Sequence, residues 1–209
     1  MLPPSIPLFP LPNVVLFPNV FLPLHIFEPR YRQMVADALE GDRIIGMVLL
    51  RAGYEADYQG RPAIYDVGCA GVITHSQALP DGRYDIVLRG IEKFRMTSED
   101  QSRPYRIGRI DAVAETISPH EAQPLRQQRQ RLEAVLAAAI ERVRAEPRFP
   151  PSVPDEDLVN ALAQYLELDI VERQALLECD GVLARCRALI DLLEMKLHTP
   201  RGWSSAPAN

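Results

Sequence analysis

The residues of this chain with the most chemistry in them are four histidines, three cysteines and two lysines, and their spacing decides what they can do together. His25, His75, His120 and His198 stand far apart. Cys69 and His75 fall on one predicted strand, where six residues put both on the same face but about 20 Å apart, too far to share a metal ion. Cys179 reads as a loop residue and Cys186 as helix core. Lys93 in "EKF" and Lys196 in "MKLH" neither follow glycine nor precede Ser or Thr, so no phosphate-cradling loop is present in the sequence. Both lysines read as solvated residues. No Gly-x-Ser-x-Gly elbow occurs. Asp81 and Asp85 have the look of an acid–base pair, but Asp81 is better explained as the turn residue before Gly82. Asp85 and Arg83 alternate with Tyr84 and Ile86 as on a half-exposed strand. His25, in the apolar "LPLHIF", reads as a core histidine with a ring nitrogen bonded to a carbonyl. Glu28 and Arg30 flank Pro29 at a predicted helix start, where a carboxylate is favoured by the helix dipole. The expectation is no catalytic residues, no metal and no cofactor.

These residues must be positioned by the elements around them. The opening run, "IPLFPLPNVVLFPNVFLPLHIFEPRYRQM", is dense in proline yet rich in large apolar side chains, unlike a disordered tail. Proline cannot donate to a ladder, so extended segments with prolines at ends, edges or bulges are expected. Val14–Phe17 and Val20–Leu24 read as two pieces of a bent strand. Tyr31, Met34, Val35, Ala38 and Leu39 then form one helical stripe that Gly41 stops. "RIIGMVLL", "YDVGCAGVITHSQAL", "LPDGRYDIVLRGIEKFRM" and "YRIGRIDAVAET" read as strands, with bulges permitted at Gly68 and Gly71 and a hairpin turn at Pro80-Asp81-Gly82.

After Ser118-Pro119 the spacing becomes helical. Leu132, Val135, Leu136, Ala139, Ile140 and Val143 share a face, and "EPRFPPSVPDEDL" breaks that helix. Asp155 is read as the cap of a helix holding Leu158, Leu162, Tyr165 and Leu166. Asp169 and Glu172 have capping-box spacing. Asp180 precedes a last stripe of Val182, Cys186, Leu189, Ile190, Leu193 and Leu197. The expected organisation is a β-barrel subdomain over 1–117, a helical bundle over 118–198 and a flexible tail over 199–209.

Bulk composition agrees with a cytoplasmic protein. The chain has 209 residues, 47% hydrophobic and 24% charged, with a formal charge of −5. An odd number of cysteines without CxxC spacing points to a reducing compartment. No secretory leader and no membrane span are read from the sequence. Arg83, Arg89, Lys93, Arg95, Arg103, Arg106 and Arg109 form the densest run of cations, offset by Asp85, Glu92, Glu99 and Asp100 to leave +3.

Several of these segments together carry a resemblance. "PLFPLPNVVLFP" and "LPLHIFEPRYRQMV", then "VGCAGVI" and "LPDGRYDIVLRGIEKFRM", then "LVNALAQYLELDIVERQALLECD" and "LARCRALIDLL", resemble the Lon protease N-terminal domain in order, from about Ile6 to Leu197. Lys93 departs from the arginine usual in that family before Phe94. The resemblance implies an α+β fold, a PUA-like β-barrel with one helix followed by a C-terminal α-helical bundle. It implies a non-catalytic, stand-alone module that recognises substrates or acts as an adaptor, without ATPase or peptidase domains. Its partners would be unfolded or peptide-like protein segments, with a protease or chaperone as a further partner. A shallow apolar groove between barrel and bundle, or an open strand edge, would hold them, with Phe21, His25 and Tyr31 as contact residues. The alternative is RNA, which PUA-type barrels can bind, through a basic patch of Arg83, Arg89, Lys93 and Arg95. That patch lacks the density and interleaved aromatics of an RNA groove.

Overall fold

A computed structural model describes residues 2–57, 60–100, 102–141 and 152–198. The first strand, β1 (Ser5–Leu11), lies upstream of the expected position. Val14–Phe17 is not a strand. Its neighbours Pro12 and Pro18 lack donors, and Val15, Leu16 and Phe17 are buried instead as an irregular segment. The backbone there is satisfied from elsewhere, as burial requires. Phe17 N donates to Gln164 Oε1 at 3.2 Å, and Asn160 Nδ2 donates to Pro18 O at 3.1 Å. Asn19 N donates to Gly90 O, and Gly90 N to Val20 O, both at 2.9 Å. A Cβ at Gly90 would stand 2.1 Å from Phe17 O, so only glycine admits this approach.

The segment leads to β2 (Phe21–Ile26) and α1 (Pro29–Glu40), which buries Tyr31, Met34, Val35 and Ala38. Gly41 caps α1 at φ −108°, and Arg43, at φ 60°, takes the left-handed turn instead. β3 (Ile44–Leu49), β4 (Val67–Ala78), β5 (Tyr84–Asp100) and β6 (Arg106–Val113) follow, in the four segments read as strands.

The strands form one sheet in the order β2-β5-β4-β3-β1-β6, and β5 also pairs with β6. That extra pairing closes β5, β4, β3, β1 and β6 into a ring, leaving β2 outside it. β5 serves three neighbours because it is long and irregular, with register shifts opposite Ala70/Gly71 and Ile73/His75 of β4 and at Met96/Ser98. Ile6, Leu8, Val48, Leu50, Ile64, Ala70, Phe94 and Ile110 fill one core cluster. Pro7 is registered only against β6 and Pro10 only against β3, so each has a flank of β1 on which a missing donor costs no ladder bond. Pro23 lies in β2, where β5 is the one registered partner among the described residues.

The helical region comprises α2 (Pro119–Glu141), α3 (Asp155–Tyr165), α4 (Ile170–Glu178) and α5 (Val182–His198). Ser118 caps α2, its N and Oγ both donating to Glu121 Oε2. Asp169 N donates to Glu172 Oε2 at 2.8 Å, as the capping-box spacing predicts. Asp155 is the first residue of α3, not its cap: Leu158 N donates to Pro154 O one residue earlier, and the Asp155 carboxylate accepts from Arg129 Nη1 at 2.8 Å. α2 packs on α5, whose Val182, Cys186, Leu189, Ile190 and Leu193 are buried. Val143 of the expected stripe, much of the proline loop and the tail from 199 lie outside the described residues. No helix among the described residues is long and apolar enough to cross a membrane.

The chain divides into two compact units. One is Met1–Glu115 with Asn160–Glu178; the other is Thr116–Val159 with residues from 179 onward. A division at 117 separates 160–178 from the strands, yet Gln174 Nε2 of α4 donates to Val67 O of β4 at 3.0 Å. The buried amides Asn160, Gln164 and Gln174 tie that helical segment to the barrel backbone.

Candidate functional site

β2 is the element most open to a partner. Phe21, Pro23 and His25 alternate along it as exposed residues, with Leu22, Leu24 and Ile26 more buried. Phe21 is 51% exposed, and Phe27, just past the strand, 61%. Tyr165 at the end of α3 is 65% exposed, not inside its helix as its spacing suggested, and its hydroxyl donates to Phe21 O at 2.8 Å. Three aromatic side chains with exposed surface therefore lie on or near one strand that, among the described residues, is registered on one side only.

His25 is a surface residue, not a core histidine. The even-numbered positions of β2 turn inward, and His25 turns out beside its registered partner Asp85. His25 Nδ1 lies 2.6 Å from Asp85 Oδ1, and Nε2 lies 3.1 Å from Arg83 Nη1. A guanidinium only donates, so Nε2 accepts and Nδ1–H donates to Asp85. An aspartate–histidine pair of a hydrolase keeps the second nitrogen facing a nucleophile. Here Arg83 occupies it. Arg83 also bonds Asp81 through N and Nε, at 3.1 and 2.6 Å, which holds the Asp81 carboxyl below its usual range. Gly82, at φ +80°, completes this turn. The cluster locks the β4–β5 hairpin to the end of β2. It is an arrangement for rigidity, with Asp81 in the turn role expected of it.

Tyr31 is 5% exposed and packs its ring 4.5 Å from that of Phe9. The structure brings Phe21 and His25 to one exposed face and keeps Tyr31 in the core. Glu28 accepts from Arg30 Nε at 3.1 Å, and its side chain makes no cap bond at the α1 start.

The cations from 83 to 109 are dispersed among partners. Arg89 donates to Asn19 Oδ1 and Arg103 to Asp37. Arg106 is buried on Glu99 and Pro62 O. Lys93 is not solvated: it is buried 2.9 Å from Glu115, with side chains 5% and 9% exposed. Strand alternation sets Lys93 on the face of β5 opposite Phe94, which fills the core cluster, and there it meets its counter-ion just beyond β6. Of the four residues of the expected patch, Arg83, Arg89 and Arg95 are exposed and Lys93 is not.

Cys69 and His75 do not share a face. The bulge at Thr74 breaks the alternation of β4, leaving Cys69 buried and His75 exposed. Cys186 is fully buried, and burial, then the nearby Asp155 carboxylate, pushes its thiol up to about 11. No group of three or more metal-ligating side chains is found among the described residues.

Sequence reasoning missed a cavity of about 230 Å³ beside the start of α1, lined by Arg30, Arg61, Arg106, Tyr31 and Tyr105 among others. Tyr105 donates to Asp37 Oδ2 at 2.6 Å. Burial and that bond raise the phenol to about 12, and the same bond lowers Asp37. The signal lay in arginines from three separate segments, which only the barrel brings together.

A closed, mixed α+β barrel with a one-sided accessory strand and a following helical region is the architecture these residues define. Two solved structures share it. One is the N-terminal domain of the Mycobacterium avium complex Lon protease, with a TM-score of 0.64 at 16% identity, covering 91% of this chain and 98% of that one. The other is a Lon N-terminal domain protein from Xanthomonas campestris, with a TM-score of 0.58 at 24% identity, covering 91% and 97%. A family profile described as the ATP-dependent protease La (LON) substrate-binding domain matches residues 5–195, and the chain belongs to that family. Lon protease 2 of Myxococcus xanthus is 28% identical over 205 residues, 93% of this chain and 24% of that protein. Lon protease 2 of Syntrophobacter fumaroxidans is 32% identical over 180 residues, 85% of this chain and 22% of that protein. The chain thus spans roughly a quarter of the length of the curated relatives it matches.

Proposed function

We propose that the barrel unit is a non-catalytic docking module for unfolded or extended protein segments, which it receives along β2. The observation that carries this reading is that, among the described residues, β2 is paired with β5 alone, with Phe21 exposed along the strand and Phe27 just beyond it. An extended segment gains main-chain hydrogen bonds by adding to such an edge, and apolar contact from aromatics that stand beside it. The description of the family as a substrate-binding domain supports the same role. The hydrogen-bond network of His25, Asp85, Arg83 and Asp81 keeps the edge in one conformation, which limits the entropy lost on binding.

The test is fluorescence anisotropy of a labelled unfolded polypeptide with the wild-type chain and with Phe21→Ser and Phe27→Ser. Both side chains are more than half exposed, so stability should stay within about 0.5 kcal/mol. Affinity should fall about tenfold or more, as for loss of an aromatic anchor worth about 1.4 kcal/mol or more. Unchanged affinity in the double variant overturns the reading. So does tight, steeply salt-dependent binding of single-stranded RNA in place of polypeptide.

A further inference from the structure

The flank of β2 that faces away from β5 carries a fixed set of main-chain groups. Gly90 N donates to Val20 O at 2.9 Å, and the register continues from there as Phe21↔Arg89 and Leu22↔Leu88. In an antiparallel ladder the main-chain groups of alternate residues point to opposite sides. Val20, Leu22, Leu24 and Ile26 therefore turn theirs to β5, and Phe21, Pro23 and His25 turn theirs outward. Pro23 falls on the outward set, so its missing N–H removes no bond to β5.

One of these outward groups is already taken. The Tyr165 hydroxyl, at the last residue of α3, donates to Phe21 O at 2.8 Å. Among the described residues it is the one group bonded to an outward main-chain atom of β2. A carbonyl on a strand edge is where an N–H of an added strand bonds, so the hydroxyl stands in the place of that N–H. Tyr165 is also 65% exposed. It can leave by a rotamer change without opening a cavity in the core.

We infer that Tyr165 is a gate on the docking edge: a main-chain N–H of the incoming protein segment replaces the Tyr165 hydroxyl at Phe21 O. This rests on the docking reading above. The exchange trades one neutral hydrogen bond for another, so the hydroxyl keeps the carbonyl satisfied in the empty state and weakens docking by the bond that must be broken. The same flank sets the chemistry of the segment. The residue that bonds Pro23 O must carry its own N–H, so proline is refused at that place. A second copy of the chain is a poor occupant. A pair centred on Pro23 sets two carbonyls opposite each other with no donor between them, and a pair centred on Phe21 meets a Tyr165 hydroxyl from each copy.

The test compares the parent chain with Tyr165→Phe, using the labelled unfolded polypeptide of the anisotropy assay. The substitution keeps the ring and removes the competing donor. Affinity should rise about fivefold, the effect of one neutral hydrogen bond lost from the free chain alone. The ¹³C resonance of the Phe21 carbonyl gives a second readout, one that a merely structural role would not move. It should differ between the two free chains and converge on one position when both are saturated with polypeptide. Amide resonances unchanged away from Phe21 and Tyr165 show that the variant folds. Equal or weaker binding by Tyr165→Phe, or a Phe21 carbonyl that keeps its difference at saturation, overturns the inference. So does a concentration-dependent dimer of Tyr165→Phe in light scattering, which would make a second copy the occupant. If Phe21→Ser and Phe27→Ser weaken binding while Tyr165→Phe does not tighten it, only the gate fails; if none of these variants changes binding, the docking reading fails with it.

Discussion

Replacing Lys93 by methionine should destabilise the barrel far more than its surface look in the sequence suggests. Lys93 Nζ and Glu115 Oε1 are 2.9 Å apart, with side chains 5% and 9% exposed. At an effective dielectric of 20, two unit charges about 3 Å apart attract by roughly 5–6 kcal/mol, and desolvation of the two ions cancels several kcal/mol of this. The intact pair therefore contributes little net stability. Removing one partner strips a buried charge of its counter-ion, at a cost of about 3–5 kcal/mol. For a chain of this size that is roughly 6–20 °C in melting temperature.

Urea titration followed by far-ultraviolet circular dichroism measures the effect on Lys93→Met, Glu115→Leu and the double variant. Both single variants should lose about 3 kcal/mol or more, and the double variant should recover most of it, because apolar residues of similar volume replace a buried pair without penalty. The coupling energy of the cycle should then be several kcal/mol. Single losses below about 1 kcal/mol, or losses that simply add in the double variant, would refute the account of Lys93 as half of a buried ion pair.

Other expectations follow from particular environments. In the native chain a thiol reagent should modify Cys179, which is partly exposed, well before Cys69 and Cys186, which are buried; mass spectrometry of the labelled peptides checks the order. The raised Cys186 thiol gives stability that is intact below the ordinary thiol range and falls as pH rises through about 11, so alkaline melting should be shallower in Cys186→Ala than in the parent. Asp37 has the opposite sign: its carboxyl is lowered, first by the Tyr105 hydroxyl, so it stabilises above the ordinary aspartate value of about 3.9 and loses that contribution as pH falls below it. Asp37→Asn should flatten the acid limb of the melting profile. Gly90→Ala should cost about 1–3 kcal/mol by urea titration, since its methyl group would meet Phe17 O at 2.1 Å.

The strands that pair with near neighbours were legible. "RIIGMVLL" and "YDVGCAGVITHSQAL" carry the strand period, and Asp81-Gly82 marks the turn that Gly82 makes at φ +80°. The helices were legible by stripe, down to the Asp169–Glu172 cap. The Ser118–Glu121 cap carried the same spacing signal and could have been read too. The opening segment was not. Val14–Phe17 has the composition of a strand, but Phe17 N and the carbonyl of the following Pro18 find side-chain partners in Gln164 and Asn160, more than 140 residues away. Local propensity weighs only local alternatives, and a distant amide that satisfies a buried N–H as well as a ladder bond does is invisible to it.

The same distance limit explains the site. His25 sits among apolar neighbours in the sequence, and its exposure follows from strand alternation together with a β5 partner that places Asp85 across from it. Lys93 was misread for the converse reason: its counter-ion Glu115 lies 22 positions on, past a further strand. Tyr165 kept its helical spacing but falls on the last turn of α3, where the hydroxyl reaches Phe21 O instead of the interior. Charge and aromatic content along the chain therefore say little about a docking surface. What distinguishes β2 is topological: the ring closes through β5 and β6 without it, so among the described residues β2 is registered on one flank only, and Phe21 on it and Phe27 just past it are exposed. A segment that added to β2 would extend the sheet by one strand and leave the closed ring untouched. Binding of that kind should protect the amides of β2 from hydrogen exchange while the rates in β1 and β3 stay as they are.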